Sequence, residues 1–317
     1  MQVIKKPNQT LKVEGVFKNE TLPLVSVITP TYNRAPFLDE TIQSVLAQDY
    51  SNIEFIILDD GSTDNTQEVL EKYKACIISE THTNMGETRT VNKGFSMAKG
   101  DIICVVNSDD PIYPGAIKTV VNFMLEHPKV LAVYPDWDEI DVNSRLLKRI
   151  KLSNYTTRKI FLEFNVGIGP CTFFRRKIFD LIGMRDPNLK YTGDLDFWFR
   201  IFKLGDDCII HIPKTLGTHR THPGAASSLA KGADMAEELV TIVHKFFSCS
   251  NIPSDIIRLQ KKALSNAHYH AIYYCGLNIQ EAKKHYILAI KYNPFKFFLI
   301  PYLFIKMIKF LLKKSKK

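Results

Sequence analysis

The chain has 317 residues, 45% of them hydrophobic and 24% charged, a balance close to that of soluble globular proteins and foreign to disordered, collagen-like or disulfide-scaffold chains. At about 100–200 residues per domain, it holds one large domain or one domain with a substantial appendage. The net charge of +9 is unevenly placed: Lys245 to Lys317 has 14 basic and 2 acidic side chains (+12), leaving 28 against 31 (−3) before it. A nucleic-acid-binding body would carry its basic residues on the folded face that meets phosphate. The pattern instead fits an acidic catalytic body with a basic tail facing an anionic surface.

The first 23 residues read as an N-terminal extension, and Met1 to Asn19 holds no apolar stretch of signal-peptide length, so secretion is not expected. Leu24 to Thr29 is a nearly continuous apolar run rich in β-branched residues, the signature of a strand buried on both faces. Phe37, Leu38, Ile42, Val45 and Leu46 then recur at helical spacing, with Pro36 suited to a first turn. Ile53 to Leu58 is a second buried strand ending in Asp59-Asp60-Gly61, and Asp64 with Gln67 predicts a capping box opening the next helix. Cys76 to Ser79 reads as a third strand, Val91 to Ala98 as a helix closed by Gly100, and Ile102 to Val106 as a fourth strand entering Asn107-Ser108-Asp109-Asp110.

Strands alternating with helices predict an α/β fold with a doubly wound, mostly parallel sheet, whose ligands bind outside the carboxyl ends of the strands. The polar clusters Thr29 to Arg34, Asp59-Asp60 and Asn107 to Asp110 fall at those ends. Neither the glycine-rich dinucleotide turn nor the Gly-x-x-x-x-Gly-Lys-Ser/Thr phosphate loop is present. A diphosphate held here therefore calls for a metal and carboxylates. From about 111 to 230 the pattern loosens into mixed short elements. Beyond Ala233 it turns helical, and composition draws a boundary near Lys245. The six scattered cysteines show no metal-ligand spacing and read as reduced thiols of a reducing compartment.

An ordered series of short motifs resembles the family 2 glycosyltransferases, inverting enzymes of the GT-A fold. It runs through Val25-Ser-Val-Ile-Thr-Pro-Thr-Tyr-Asn-Arg34, Leu58-Asp-Asp-Gly-Ser-Thr-Asp64, Asn84-Met-Gly86, Asn92-Lys-Gly94 and Asn107-Ser-Asp-Asp110. It closes with Gly193-Asp-Leu-Asp-Phe-Trp-Phe-Arg200 and Arg220-Thr-His-Pro-Gly224. The resemblance implies a glycosyltransferase domain over residues 24–244, with a nucleotide-binding half at about 24–110 and an acceptor half at about 111–230. Residues 245–317 follow as a helical, basic C-terminal extension.

The family moves a sugar from a nucleoside diphosphate to an acceptor hydroxyl with inversion, which requires donor positioning, charge neutralisation and a base. The resemblance assigns donor contacts to Pro30, Tyr32, Arg34, Asp60, Lys93 and Asp109. A carboxylate at the end of the second strand, Asp60, can accept the imide N–H of uracil, which favours a UDP-sugar; the alternative makes Asp59-Asp60-Gly61-Ser62 a turn with a helix cap, a reading that suits Asp59 better than Asp60. Asn107 to Asp110 stands where the family has Asp-x-Asp, and the departure at Asn107 shifts the expected Mn²⁺ or Mg²⁺ ligands to Asp109 and Asp110. His222 matches a position facing the donor diphosphate and joins them as a metal ligand or phosphate partner. Asp194 is the expected general base, with Gly193 where the family usually has Glu. Asp196 is a lesser candidate for the base, and Trp137 a candidate for an acceptor groove.

Phe297 to Ile305 is uncharged, but nine residues cannot span a bilayer of about 30 Å as a helix. Lys306, Lys309, Lys313 and Lys316 fall on one helical face opposite Phe304, Ile308, Leu311 and Leu312, the pattern of a helix lying in a membrane interface or docked on protein. The expectation is a cytoplasmic enzyme, peripheral on the inner membrane face, acting on a glycan or lipid-linked acceptor and not on nucleic acid. A nucleotide-sugar-binding scaffold without catalysis and a nucleotidyltransferase are the alternatives.

Overall fold

The computed structural model describes residues 22–164, 167–222, 224, 232–250, 252–275 and 278–298. Eight strands form one mixed sheet: β1 (Val25–Thr31), β2 (Ile53–Asp59), β3 (Ile78–Thr81), β4 (Ile102–Val105), β5 (Ala132–Ile140), β6 (Leu146–Ile150), β7 (Thr172–Arg175) and β8 (Ile209–Arg220). Their order is β3-β2-β1-β4-β7-β5-β6, with β8 also paired to β5. The first four strands are parallel, as expected. Beyond β4 the sheet mixes direction: β7 is antiparallel to β4 and β5, β6 antiparallel to β5, and β8 parallel to β5.

Side chains alternating along each strand build a core on both sides of the sheet. Val25 and Val27 of β1, Phe55 and Ile57 of β2, and Ile102 and Cys104 of β4 pack with α1 (Ala35–Leu46) and α4 (Ala116–Glu126). Ile28, Ile56, Leu58 and Ile103 face the other way, toward α3 (Glu87–Met97) and α7 (Gly193–Phe202). Each fully buried aliphatic side chain contributes roughly 1.5–3 kcal/mol of transfer free energy. The α3–β1 contact is close: a Cβ on Gly94 would lie 2.5 Å from Ile28 Cγ2, so the glycine of the Asn92-Lys93-Gly94 motif is a packing requirement.

Three local expectations need correction. The third strand begins at Ile78, not Cys76, because the Cys76 and Ile77 N–H groups donate to the Tyr73 carbonyl and continue the end of α2 (Thr66–Lys72). The capping box does not form. Asp64 accepts from Ala35 N at 3.1 Å and Thr66 N at 3.1 Å, while the Gln67 amide reaches Asp59 and Thr81 Oγ1. Helix α3 starts four residues before Val91, at Glu87.

The helical region comprises α8 (Gly232–Phe247), α9 (Ser254–Ile257), α10 (Gln260–Tyr274) and α11 (Ile279–Tyr292). Its buried residues, from Ala236 to Ala282, belong to the same core as Ile28 and Phe197. Asn266 of α10 donates to the Phe161 and Leu162 carbonyls at 2.8 and 2.7 Å, binding it to α5 (Thr157–Glu163). The boundary near Lys245 thus falls inside α8. The basic stretch from Lys306 to Lys317 lies outside the described residues. Among those described, no helix is long and apolar enough to cross a membrane.

Candidate active site

The loops after β1, β2 and β4 meet at the carboxyl edge of the sheet. Asn33 sits there with φ 53°, a left-handed conformation that asparagine tolerates better than most residues. Its N–H donates to Ser62 Oγ at 2.8 Å and its side-chain oxygen accepts from Thr63 N at 2.8 Å, latching the first loop to the second. Arg34, the next residue, is thereby aimed at the third.

Arg34 Nε donates to Asp109 Oδ2 at 3.0 Å, and His222 Nε2 lies 2.9 Å from the same oxygen. The remaining guanidinium nitrogens are held by the carbonyls of Gly224 at 2.6 Å, Asn33 at 3.1 Å and Tyr32 at 3.3 Å. The His222 ring packs on Phe37 with centroids 4.8 Å apart. Residues 34, 109 and 222, far apart in sequence, thus form one partly buried cluster. Both side-chain bonds of Asp109 fall on Oδ2, and a carboxylate with an imidazole is a donor set that suits Mn²⁺ better than Mg²⁺.

Asp110 points inward and is 1% exposed. Its Oδ1 accepts from Arg220 N at 2.8 Å and its Oδ2 from the Asn107 amide at 2.9 Å. His219 Nδ1 stands 3.5 Å from Oδ1. Burial pulls the His219 pKa down, but Asp110, with Asp109 and Glu139, outweighs it and raises the pKa above its ordinary value.

Arg220 carries weight that its position in a motif did not reveal. Its side chain is fully buried and donates to Asp109 O, Asp141 O, Ser144 Oγ and Glu40 Oε2 at 2.9, 3.0, 3.0 and 2.6 Å. The Phe37 ring lies 4.9 Å from the guanidinium carbon. A buried arginine with four acceptors clamps the Asp109 loop, α1 and the end of β8 together. In the sequence it is one of several polar residues of β8, beside His211, Lys214, Thr218 and His219, and nothing local marks it as the buried one.

Asp60 is buried, and its two oxygens accept from Met85 N at 2.7 Å and Gly86 N at 2.9 Å, tying β2 to the Asn84-Met85-Gly86 turn. Asp59 accepts from Ser62 N at 3.0 Å. Pro30 is buried in β1, paired in register with Leu58, whereas Tyr32 is exposed beside Arg34. Lys93 is directed to Glu80 of the edge strand at 2.5 Å and does not join the Asp109 cluster.

Asp194 is exposed in the first turn of α7 and lines a cleft with Asn107, Glu87, Arg185, Gly169 and Trp198. Asp196, one turn face away, is buried and paired with Arg200 Nε at 2.9 Å and Lys245 Nζ at 2.8 Å. That pairing fits a structural role. The missing Glu at 193 has a local cause: a Cβ there would lie 2.7 Å from Thr88 Oγ1, which donates to the Leu189 carbonyl at 2.7 Å. Trp137 is half-buried, its Nε1 donating to Gly167 O at 3.1 Å.

The sequence model described as glycosyl transferase family 2 matches residues 26–183. An uncharacterised glycosyltransferase of Rickettsia prowazekii is 34% identical over 218 residues, spanning 66% of this chain and 67% of the relative. The fold is similar to that of Staphylococcus aureus TarS in complex with UDP-GlcNAc, with a TM-score of 0.63 at 19% identity over 84% of this chain and 86% of that one. It is also similar to the mannosyltransferase PcManGT from Pyrobaculum calidifontis in complex with GDP-Man and Mn²⁺, with a TM-score of 0.58 at 18% identity over 86% and 76%. At such identities the two structural likenesses speak for the fold.

Proposed function

The chain belongs to glycosyl transferase family 2 and is a glycosyltransferase, and from that premise we propose an inverting, metal-dependent transfer from a nucleoside-diphosphate sugar, UDP-linked, to a hydroxyl of a glycan or lipid-linked precursor. The observation that carries this reading is the meeting of Arg34 and His222 on one oxygen of Asp109, beside a cleft that Asp194 lines. Asp109 and His222 would hold a divalent cation, with Asp110 behind them as the residue that fixes their loop. When bound, the cation neutralises the diphosphate leaving group. Arg34 moves from Asp109 onto a phosphate oxygen, for which its planar fork is suited. Arg220 keeps the loop in place from below.

Asp194 takes the acceptor proton. As an exposed carboxylate on the rim of the cleft it can reach a hydroxyl that arrives from solvent, whereas Asp196 is already bound to two cations. Asn107 and Gly193, the two departures from the family pattern that would favour a binding-only scaffold, each have a structural partner, in Asp110 and Thr88. The excess positive charge of residues 245–317 supports an anionic membrane surface as the place of work.

The test is release of UDP from a panel of UDP-sugars by the purified chain, with Mn²⁺ and a mixture of glycan and lipid-linked acceptors. Acceptor-stimulated release that EDTA abolishes and Mn²⁺ restores is the expected result. Saturable donor binding without turnover on any acceptor would favour the scaffold.

A further inference from the structure

Helices α8 and α11 bring together three ligand-type side chains that the transfer chemistry does not use. Oxygens of Glu237 and Glu281 and a ring nitrogen of His285 all lie within 4.8 Å of one another. Glu281 and His285 are four residues apart on α11, so they share one helix face. The Asn278 side chain caps this helix by accepting from Glu281 N at 3.2 Å, fixing the turn that carries the first ligand.

His285 is 1% exposed, and its Nε2 has no hydrogen-bond partner among the described residues. That atom is aimed at Glu237 Oε1, 3.9 Å away. On the other side of the ring, Nδ1 lies 2.9 Å from Nδ1 of His268 in α10. When His285 donates from Nδ1 to His268, Nε2 presents a bare lone pair toward two carboxylates. Leaving a buried nitrogen in that state is unfavourable, and a cation between the three groups removes the cost. A ligating histidine commonly donates its second ring N–H to a neighbouring acceptor, and His268 occupies that place.

We propose that Glu237, Glu281 and His285 form a zinc-binding site that pins α11 to α8, with water in the remaining position. One imidazole and two carboxylates are within the ligand range of Zn²⁺, whose ligand atoms lie roughly 3.4 Å apart in a tetrahedron at bond lengths near 2.0–2.2 Å. The present separations close to that value with side-chain movement alone, because Glu237 is exposed and Glu281 half-exposed. The Lys284 ammonium now sits 2.5 Å from Glu237 and 3.4 Å from Glu281, marking where positive charge is favoured. Its side chain is half-exposed and free to swing away as the ion enters.

The test is calorimetric titration of the chelator-treated full chain with ZnCl₂, in the wild type and in an Asp109→Asn background that removes the donor-side ligand. The Asp109→Asn chain should still bind one equivalent of Zn²⁺ and gain melting temperature from it, while the wild type can take a second at the donor side. Glu237→Gln, on an exposed position that leaves the fold intact, and His285→Gln should each weaken binding at least tenfold. Lys284→Met should tighten it, since a competing cation is gone. No saturable uptake by the Asp109→Asn chain, or equal affinity in Glu237→Gln, would overturn the assignment and leave Lys284 as the native cation of the cluster.

Discussion

Asn107 donates its side-chain amide to Asp110 Oδ2 at 2.9 Å, so the residue that stands where the family usually has an acid works as a hydrogen-bond donor to a buried carboxylate. An aspartate at 107 would set two carboxylates against each other at that distance. Asn107→Asp is therefore expected to destabilise the chain by about 1–3 kcal/mol, the cost of an unsatisfied buried group, and to do so less at acidic pH where one carboxyl is protonated. Denaturant melts at pH 5 and pH 8 check this.

Gly193 and Thr88 are a second such pair. Gly193→Ala forces its Cβ onto Thr88 Oγ1 and should cost about 1–3 kcal/mol by overpacking. Thr88→Ala removes the obstructing oxygen, together with its bond to Leu189 O. The double variant should lose less stability than the sum of the two single ones. A strictly additive cycle would mean that the two side chains do not collide.

Much of residues 24–110 was legible in the sequence, because β1, β2 and β4 are buried on both faces and read as apolar runs ending in polar clusters. The details that failed were those where tertiary bonds outcompete local ones. Asp64 and Gln67 have the spacing of a capping box, yet Ala35 N and Asp59 claim them from other elements. Beyond β4 the strands are harder to read: β6 is exposed at Leu146 and Leu147 despite their apolar type, and β7 is only four residues long. At the site, motifs marked Arg34, Asp109 and His222 separately, but no spacing could show that they share one oxygen. Arg220 opens the motif that ends in Gly224, but nothing in it shows a buried clamp, and the Glu237–His285 cluster lies outside every motif.

Lys245 bridges Asp186 and Asp196 at 2.6 and 2.8 Å and fastens α8 to the body. Lys245→Met should cost about 1–2 kcal/mol, below the value for fully buried pairs because the lysine is partly open to water. For Asp186, burial raises the pKa, but the Lys245 bond outweighs this and lowers it; for Lys245, burial lowers the pKa, but its two aspartates raise it. The bridge's contribution is therefore complete above the ordinary aspartate value of about 4 and below the ordinary lysine value of about 10.4. It fades as pH falls through the lowered Asp186 pKa or rises through the raised Lys245 pKa. The gap between wild type and variant should be flat across neutral pH and narrow at both extremes.

The basic C-terminal stretch offers about 1 kcal/mol of attraction per lysine near an anionic bilayer, screened beyond a Debye length. The full chain should sediment with acidic vesicles at low salt and release at high salt. A chain ending at Asn293 should stay unbound and lose activity on a lipid-linked acceptor more than on a soluble analogue. Equal sedimentation of both chains would assign the stretch to protein contacts.

The most direct test of the proposed chemistry is single-turnover transfer by Asp194→Asn beside wild type, with donor affinity measured on the same preparations. Asparagine keeps the size and the helix-capping capacity but cannot accept the acceptor proton. The expected result is a rate lower by about 10²–10⁴-fold, with donor binding and metal dependence unchanged. A variant that retains more than about a third of wild-type turnover would contradict the assignment of Asp194 as the base.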